Sequence, residues 1–459
     1  MLKKLFRKFL APDSNDTVGA SAPTLISAKT HQLDNGYFSR NSVQVAKRLQ
    51  EAGFQAYLVG GCVRDSLLGL RPKDFDVATS ATPEQISSLF RNSRIIGRRF
   101  KLVHIHFGRE IIETATFRGS HDDTGKNNDR SAHNDKGRIL RDNVYGSLDD
   151  DALRRDFTIN ALYYDVSSHN IIDYAQGVQD IKDGLIRLIG DPSQRYLEDP
   201  VRMLRAIRFA AKLGFTLEAK TAEPIRQLAH LLKDIPAARL YEEVLKLFMN
   251  GKALKTYELL QEYNLFAPLF PETAHIIASG SQYASEIVRS ALKNTDERIS
   301  ANKPVTPAFL FAALLWPGVP VRTTDIQNQG IPAFEASQEA SHWVLHNQLK
   351  HTAIPKRFSI PMREIWSLQE RLTRRQGKRA DVLLAHPRFR AAYDFLLLRE
   401  SAGEQTTGLG QWWTEYQFAD DAKKRSMIKE VANQSGTKRK RTKHAPRQRK
   451  PRTHTNTEN

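Results

Sequence analysis

Asp74 and Asp76, in the stretch KDFDVAT, are two carboxylates separated by one residue, and they are the pairing in the chain best suited to chemistry. On a β-strand, residues i and i+2 point to one face, so the two acids converge while Phe75 and Val77 turn toward a core. Two anions this close repel. Divalent cations relieve that repulsion, and hard oxygen ligands suit Mg2+ held together with substrate phosphates. Two such ions bridged by carboxylates can activate an attacking hydroxyl and stabilise a leaving pyrophosphate. The alternative is a solvated strand edge on which Lys73 pairs with the acids. Just upstream lies LVGGCVRD, Leu58 to Asp65. A strand ending at Val59, then Gly60 and Gly61, permits a tight turn with exposed N–H groups before a helix whose N-terminus favours phosphate, and Arg64 adds positive charge. Taken alone, the glycine pair is equally a structural turn. Glu113, in IIETATFR on another predicted strand, is the candidate third carboxylate. Its parity neighbours Ile111, Ala115 and Phe117 leave open a charge at a sheet margin paired with Arg118.

Two further motifs read as helical. In LRRDFTIN, the preceding Asp149 to Asp151 favour a helix N-terminus, Arg155 and Asp156 follow one to two turns inside it, and Asp156 and Asn160 are i,i+4 neighbours. An intrahelical network with Arg154 would explain the same spacing. In LEDPVRMLRAIRF, Glu198 and Asp199 precede Arg202 by one turn, with Arg205 three residues further, so all four can line one stripe. An Asp beside an Arg offers an acceptor and donors that match the amino group and ring nitrogen of adenine's pairing edge. A Glu198–Arg202 helix salt bridge, worth about 0.3 to 0.5 kcal/mol, is the alternative. His104 and His106 share a strand face in LVHIHF; with no third His or Cys nearby they read as satisfied structural histidines. Trp412 and Trp413 read as core or helix-packing residues ahead of any stacking on RNA bases.

These groups need a scaffold of some size, and 459 residues suffice for about three structural units. From about Asn41 to residue 118, short apolar stretches (AYLV, DFDVAT, LVHIHF, REIIETATF) alternate with helical ones (Val43 to Ala52, Pro83 to Phe90), the pattern of a sheet with helices packed on it. Residues 119–138 hold one apolar side chain, Ala132, and read as a mobile loop. From Asp149 onward strand signals are sparse and segments of 3.6-residue period follow one another, so the second half reads as helical. Residues 11–35 lack either period and read as a linker. Lys plus Arg number 69 against 51 Asp plus Glu, a net charge of +18 that points to a polyanionic partner. Ser435 to Asn459 supplies +8 of it, through Lys438, Arg439, Lys440, Arg441, Lys443, Arg447, Arg449, Lys450 and Arg452 against Glu458. A mean hydropathy of −0.50 argues against a membrane-embedded protein. The single cysteine, Cys62, cannot form an internal disulfide or a Cys-based metal cage, which fits a reducing compartment. The N-terminal MLKKLFRKFL lacks the apolar run of a signal peptide; its apolar face could lie on an anionic membrane surface or simply fray.

LVGGCVRDSLLGLRPKDFDVATSATPEQI, LRRDFTINALYYD and LEDPVRMLRAIRFAAKLGF, in order over about residues 55–215, resemble the head and neck motifs of the class II nucleotidyltransferases. That group contains the CCA-adding tRNA nucleotidyltransferases and the bacterial poly(A) polymerases. IIGRRFKLVHIHFGREIIETATFRG and the polar insert after TFR are similar to the poly(A) polymerase branch. The resemblance implies an α+β fold: a nucleotidyltransferase head with a small mixed sheet over residues 41–190, then an all-α neck (191–270), a helical body and C-terminal domain (271–430) and a disordered basic tail (431–459), after a basic, disordered segment 1–40. It implies catalytic roles for Asp74, Asp76 and Asp156, metal binding by Asp74, Asp76 and Glu113, and nucleotide contacts from Gly60, Gly61, Arg64, Arg155, Asn160, Glu198, Asp199, Arg202 and Arg205. The activity expected is template-independent transfer of AMP from ATP to RNA 3′ ends with release of pyrophosphate, marking RNAs for decay and quality control. Two Mg2+ ions would serve as cofactors, with Mn2+ able to substitute. RNA 3′ ends are the expected partner, gripped by the tail through counterion release, alongside RNA-degradation machinery or RNA chaperones. The expected place is the cytoplasm, peripheral to the inner membrane surface if the N-terminal segment binds lipid, without stable membrane insertion. A CCA-adding enzyme, or a non-catalytic RNA-binding protein with a retained head, are the competing readings.

Overall fold

The computed structural model describes residues 22–97, 101–119, 131–133, 139–142 and 144–434. The strands that build the head are β1 (Thr24–Ile26), β2 (Ala56–Val59), β3 (Asp76–Thr79), β4 (Ser93–Ile96), β5 (Leu102–Phe107), β6 (Glu110–Thr116), β7 (Ser131–His133), β8 (Ile139–Asp142), β9 (Leu162–Tyr164) and β10 (Ile171–Asp173). Eight of them form one sheet in the order β1-β10-β9-β2-β3-β6-β5-β4, and β7 pairs with β8 as a separate ribbon. All neighbours in the main sheet are antiparallel except β3 and β6. Helices in this part include α1 (Arg40–Glu51), α2 (Gly61–Leu67), α3 (Pro83–Leu89) and α4 (Leu148–Leu153).

The two faces of the sheet have different tasks. Ser42, Val45, Ala46 and Leu49 recur at the i, i+3, i+4, i+7 spacing and bury one side of α1, which packs on β2 and β3. The Ser39 side chain caps it by accepting from the Ser42 N–H at 3.0 Å, a contact worth about 1 kcal/mol. Leu58 and Val77, paired across β2 and β3, belong to this helix-covered face. Val59 and Asp76, the next pair, point the other way. There Val59, Ala78, Phe117 and Tyr163 pack with Leu148 and Ala152 of α4, so α4 covers only part of the second face.

Three readings of the sequence change. Residues 24–39, assigned to the linker and the disordered N-terminal segment, are ordered: β1 pairs with β10, and the His31 ring bonds the His169 carbonyl. β9 and β10 fall where strand signals looked sparse, because three-residue strands are too short to display a period; β9 is nonetheless buried along its whole length. Within the polar insert, Ser131–His133 pairs with Ile139–Asp142, since a backbone ladder needs no apolar side chain; residues 120–130 and 134–138 lie outside the described residues.

After β10 the described residues are helical apart from a two-stranded pair, β11 (Leu185–Ile186) with β12 (Thr216–Leu217). The neck starts with α5 (Pro192–Glu198) and α6 (Val201–Leu213), separated by Asp199 and Pro200, and continues to α7 (Ala237–Phe248). α6 ends at Gly214, whose φ of 72° terminates it in the left-handed conformation. The described residues divide into two compact units between Ser359 and Ile360. The second has its own core, in which the buried Trp413 donates its indole N–H to the Leu372 carbonyl at 3.0 Å and Trp412 packs alongside, as the sequence suggested. Among the described residues no helix is long and apolar enough to cross a membrane.

Candidate active site

The centre of the site is the row of residues that crosses the open face of the sheet. Asp76 begins β3, pairs with Val59 on one side and with Glu113 of β6 on the other. β6 is an interior strand, so Glu113 does not sit at a sheet margin. Asp74 is exposed and precedes the strand rather than lying on it. The convergence expected from strand parity therefore depends on the loop leading into β3. Burial, then the negative charge of Glu113, pushes the Asp76 carboxyl up to about 6 against the pull of Arg155, and Asp74 adds to the rise. A half-buried acid crowded by two more acids is a donor set short of positive charge. Among the described residues no three or more His, Cys, Asp or Glu side chains are gathered closely enough to hold a metal ion by themselves. The fit to a hard divalent cation rests on the chemistry of the carboxylate oxygens alone, and substrate phosphates and water would have to supply most of the shell.

The turn beside Asp76 has the shape the two glycines suggest. Gly60 has φ 78° and ψ −127°, a conformation that favours glycine. Its N–H donates to the Leu162 carbonyl at 3.2 Å, fixing the turn to β9. Arg64, expected to face a nucleotide, is buried and committed to protein partners: Nε and Nη2 donate to Asp65 at 2.8 and 2.6 Å, and Nη1 donates to Asn160 at 2.5 Å. Cys62 is buried under the same turn, its thiol bonded to the Val59 carbonyl at 3.3 Å and pushed up to about 12 by burial and the nearby Asp76.

LRRDFTIN is not a continuation of a helix. Ser147 and Asp150 form a capping box at the start of α4, but α4 ends at Leu153, and Arg155 and Asp156 lie in a bend that leads to a 3-10 turn at Thr158–Asn160. The short span between Asp149 and Phe157 leaves room for fewer than two turns. Asn160 still reaches Asp156, at 3.3 Å, through the turn. Arg155 is held by Asp151 at 3.0 Å and by the Tyr163 hydroxyl at 2.8 Å, and Tyr163 in turn donates to Asp151 at 2.7 Å. Asp151 and Tyr163 were invisible as site residues in the sequence; only the fold reveals them as the brace for Arg155. Burial would raise Asp156, yet Arg205, 2.6 Å away, together with Asn160 and the Phe157 N–H, holds it below the usual carboxylate range.

The neck motif is likewise split. Pro200 breaks LEDPVRM, so Glu198 and Asp199 end one helix while Arg202 and Arg205 belong to the next, and the four do not share a stripe. Arg202 pairs with Glu198 at 2.7 Å and Asp199 pairs with Arg239 of α7 at 2.6 Å. Arg239 and Arg195 were both missed. Arg195 donates to the carbonyls of Arg154 and Arg155 at 2.6 and 2.8 Å and so docks the neck onto the head. The guanidiniums of Arg64, Arg205 and Arg208 converge on the Phe209 ring at 5.2, 5.8 and 4.7 Å, and the buried Nε of Arg208 has no hydrogen-bond partner. The RxxRxxR spacing of Arg202, Arg205 and Arg208 was the available signal for that third arginine. Lys438 to Arg452 lie outside the described residues.

The chain matches three family profiles: "Poly A polymerase head domain" over residues 56–187, "Probable RNA and SrmB- binding site of polymerase A" over 214–277, and "Polymerase A arginine-rich C-terminus" over 329–452. It is 47% identical to poly(A) polymerase I of Salmonella typhimurium over 453 residues, which covers 97% of both chains. The chain belongs to the bacterial poly(A) polymerase family. Similarity to a CCA-adding enzyme of Lactobacillus helveticus, 38% identical, spans 49% of this chain and 53% of that one, so this poly(A) polymerase shares only about half its length with that sister enzyme. Among solved structures, the CCA-adding enzyme of Bacillus stearothermophilus in complex with CTP aligns with a TM-score of 0.53 and 25% identity, over 85% of this chain and 82% of that one. The α+β head-and-neck architecture expected for a poly(A) polymerase is the one observed, and family membership carries with it a nucleotide substrate and divalent metal.

Proposed function

We propose that this poly(A) polymerase transfers AMP from ATP to the 3′ ends of RNA without a template, by attack of the RNA 3′-hydroxyl on the α-phosphate and release of pyrophosphate. The carrying observation is the Asp76 row: a carboxylate raised to about 6 by burial and neighbouring acids, beside a glycine turn, in a chain that matches poly(A) polymerase I end to end. Asp74 and Asp76 would hold two Mg2+ ions, with Glu113 as the third carboxylate; Mn2+ could replace them. When bound, such ions lower the pKa of the attacking hydroxyl and offset charge on the leaving pyrophosphate. The Gly60–Gly61 turn, lacking side chains, lets the triphosphate approach the backbone. Arg64 and Arg155 hold that turn and its neighbour in place, and Arg205 locks Asp156 so that Asn160 stays aligned with Arg64. Asp199 and Arg202 read the adenine edge. The basic tail, Lys438 to Arg452, draws in RNA of any sequence. RNA-degradation machinery or RNA chaperones act as partners in decay and quality control, and the setting is the cytoplasm, at the inner membrane surface only if the N-terminal segment binds lipid.

The test is extension of a labelled, unstructured RNA by purified protein with Mg2+ and each NTP separately, beside a tRNA lacking its CCA end. Long ladders with ATP alone are expected. Addition that stops after C, C and A on the tRNA would transfer the assignment to the sister enzyme, and no extension would leave an RNA-binding protein.

Base selection is expected to depend on Arg239 because it fixes the Asp199 carboxylate. A hydrogen bond to a charged group contributes about 1.5 kcal/mol or more, so Arg239→Ala lowers the preference for ATP over CTP in kcat/KM about tenfold. An unchanged preference would remove Asp199 from the base-reading role.

A further inference from the structure

The row that crosses the sheet at Asp76 continues past Glu113. In the antiparallel register of β5 and β6, His104 stands opposite Glu113, so Asp76, Glu113 and His104 project from one face of three adjacent strands. The His104 Nε2 lies 3.3 Å from a Glu113 carboxylate oxygen but off the line of a hydrogen bond, and this buried nitrogen has no other partner. A satisfied structural histidine would have one, so the sequence reading of His104 does not hold. The mismatch is one of orientation. The His104 side chain is 22% exposed and meets the His106 ring edge-on at 6.2 Å, whereas that of Glu113 is 54% exposed and free to turn. A buried ring nitrogen left unpaired is costly, and rotation of Glu113 onto it, with a proton carried on Nε2, removes the cost.

We propose that His104 is a positioning residue that captures one oxygen of Glu113 and thereby aims the other at Asp76, fixing the third carboxylate of the divalent-cation site. Without it, repulsion from Asp76 turns the flexible Glu113 side chain outward to solvent. Partners that orient a ligating carboxylate change metal affinity by about 10- to 100-fold in other sites. The inference rests on Asp74 and Asp76 being the cation-binding pair.

The test uses the full-length protein and Mn2+ as the probe, with binding read by electron paramagnetic resonance in the absence of RNA, and adenylation followed against Mg2+ concentration. His104→Ala is expected to weaken Mn2+ binding about tenfold and to raise the half-saturating Mg2+ concentration by the same factor. The ATP KM at saturating Mg2+ and the melting temperature stay near those of the unaltered protein. His104→Gln, whose amide nitrogen can stand where Nε2 stood, restores most of the affinity. Glu113→Ala matches His104→Ala, and the double variant is no worse than either. Unaltered Mn2+ affinity in His104→Ala overturns the proposal, as does a loss that Glu113→Ala makes additively worse. Asp76→Asn separates the two layers: if it binds Mn2+ normally, the cation site itself is misplaced; if it loses Mn2+ while His104→Ala does not, only the role of His104 fails.

Discussion

Asp76→Asn is expected to abolish adenylate transfer and, in metal-free buffer, to melt at a higher temperature than the unaltered protein. The first half follows from the loss of a charge that binds catalytic cations, whose contribution of several kcal/mol corresponds to about 10³-fold or more in rate. The second follows from the pKa. Folding raises the Asp76 carboxyl from an ordinary 3.8 to about 6, so the folded chain binds this proton more tightly than the unfolded one. The resulting penalty is absent below pH 4, grows between about pH 4 and 6, and is fully present at neutral pH. At about 1.4 kcal/mol per unit, and allowing for the partial exposure of the side chain, the amide relieves about 2 kcal/mol at pH 7.5, or about 3 °C. Thermal melts at pH 7.5 and pH 4.5 check the sign: the gain shrinks at the lower pH. Mg2+ with ATP then stabilises the unaltered protein and leaves the variant unmoved. A variant that melts lower contradicts the electrostatic account, and one that keeps its activity contradicts the site.

The second large effect belongs to Asp156. Its carboxylate joins the head to the neck through Arg205 at 2.6 Å, while its other oxygen receives Asn160 and the Phe157 N–H. Asp156→Ala strands the Arg205 guanidinium beside Phe209, next to Arg208 and Arg64. Removing one member of a buried pair costs about 3 to 5 kcal/mol. The Arg205 side chain is 35% exposed, which places the loss at the low end, about 2 to 3 kcal/mol. Denaturant unfolding measures it, and the double variant Asp156→Ala with Arg205→Ala should recover part of the stability. The recovery is the diagnostic: if the double variant is as unstable as the sum of the singles, the two side chains do not act as a pair. Activity should fall in the single variant and stay low in the double, since the latch, and not merely net charge, sets the neck against the head.

The sequence carried the site in unequal measure. The positions of Asp76, Gly60 and Gly61 were legible because local geometry decides them: a strand start and a tight turn are written in adjacent residues, whereas Asp74 falls in the loop before β3 and not on the strand that parity assumed. Glu113 was legible only as a candidate, since its value lies in standing opposite Asp76 across β3 and β6, a register that no local pattern specifies. The helix assumed for Arg155 and Asp156 failed because α4 stops after six residues, and periodicity does not mark a helix end without Gly or Pro. Pro200 did mark one, and the stripe drawn through it from Glu198 to Arg205 ignored that signal. Asp151 reaches Arg155 only four residues on, but Tyr163, Arg195 and Arg239 act through partners 8 to 41 residues away along the chain, so their roles exist only after folding.

The chain's one sulfhydryl sits at Cys62, sealed beneath the turn that borders Asp76 and protonated at any physiological pH. An alkylating reagent meets it only when that turn swings open, because neither thiolate nor access is present in the closed form. The rate of its modification is therefore a clock for breathing of the catalytic end of the sheet, one that ticks without any engineered label and slows with whatever ligand clasps the turn.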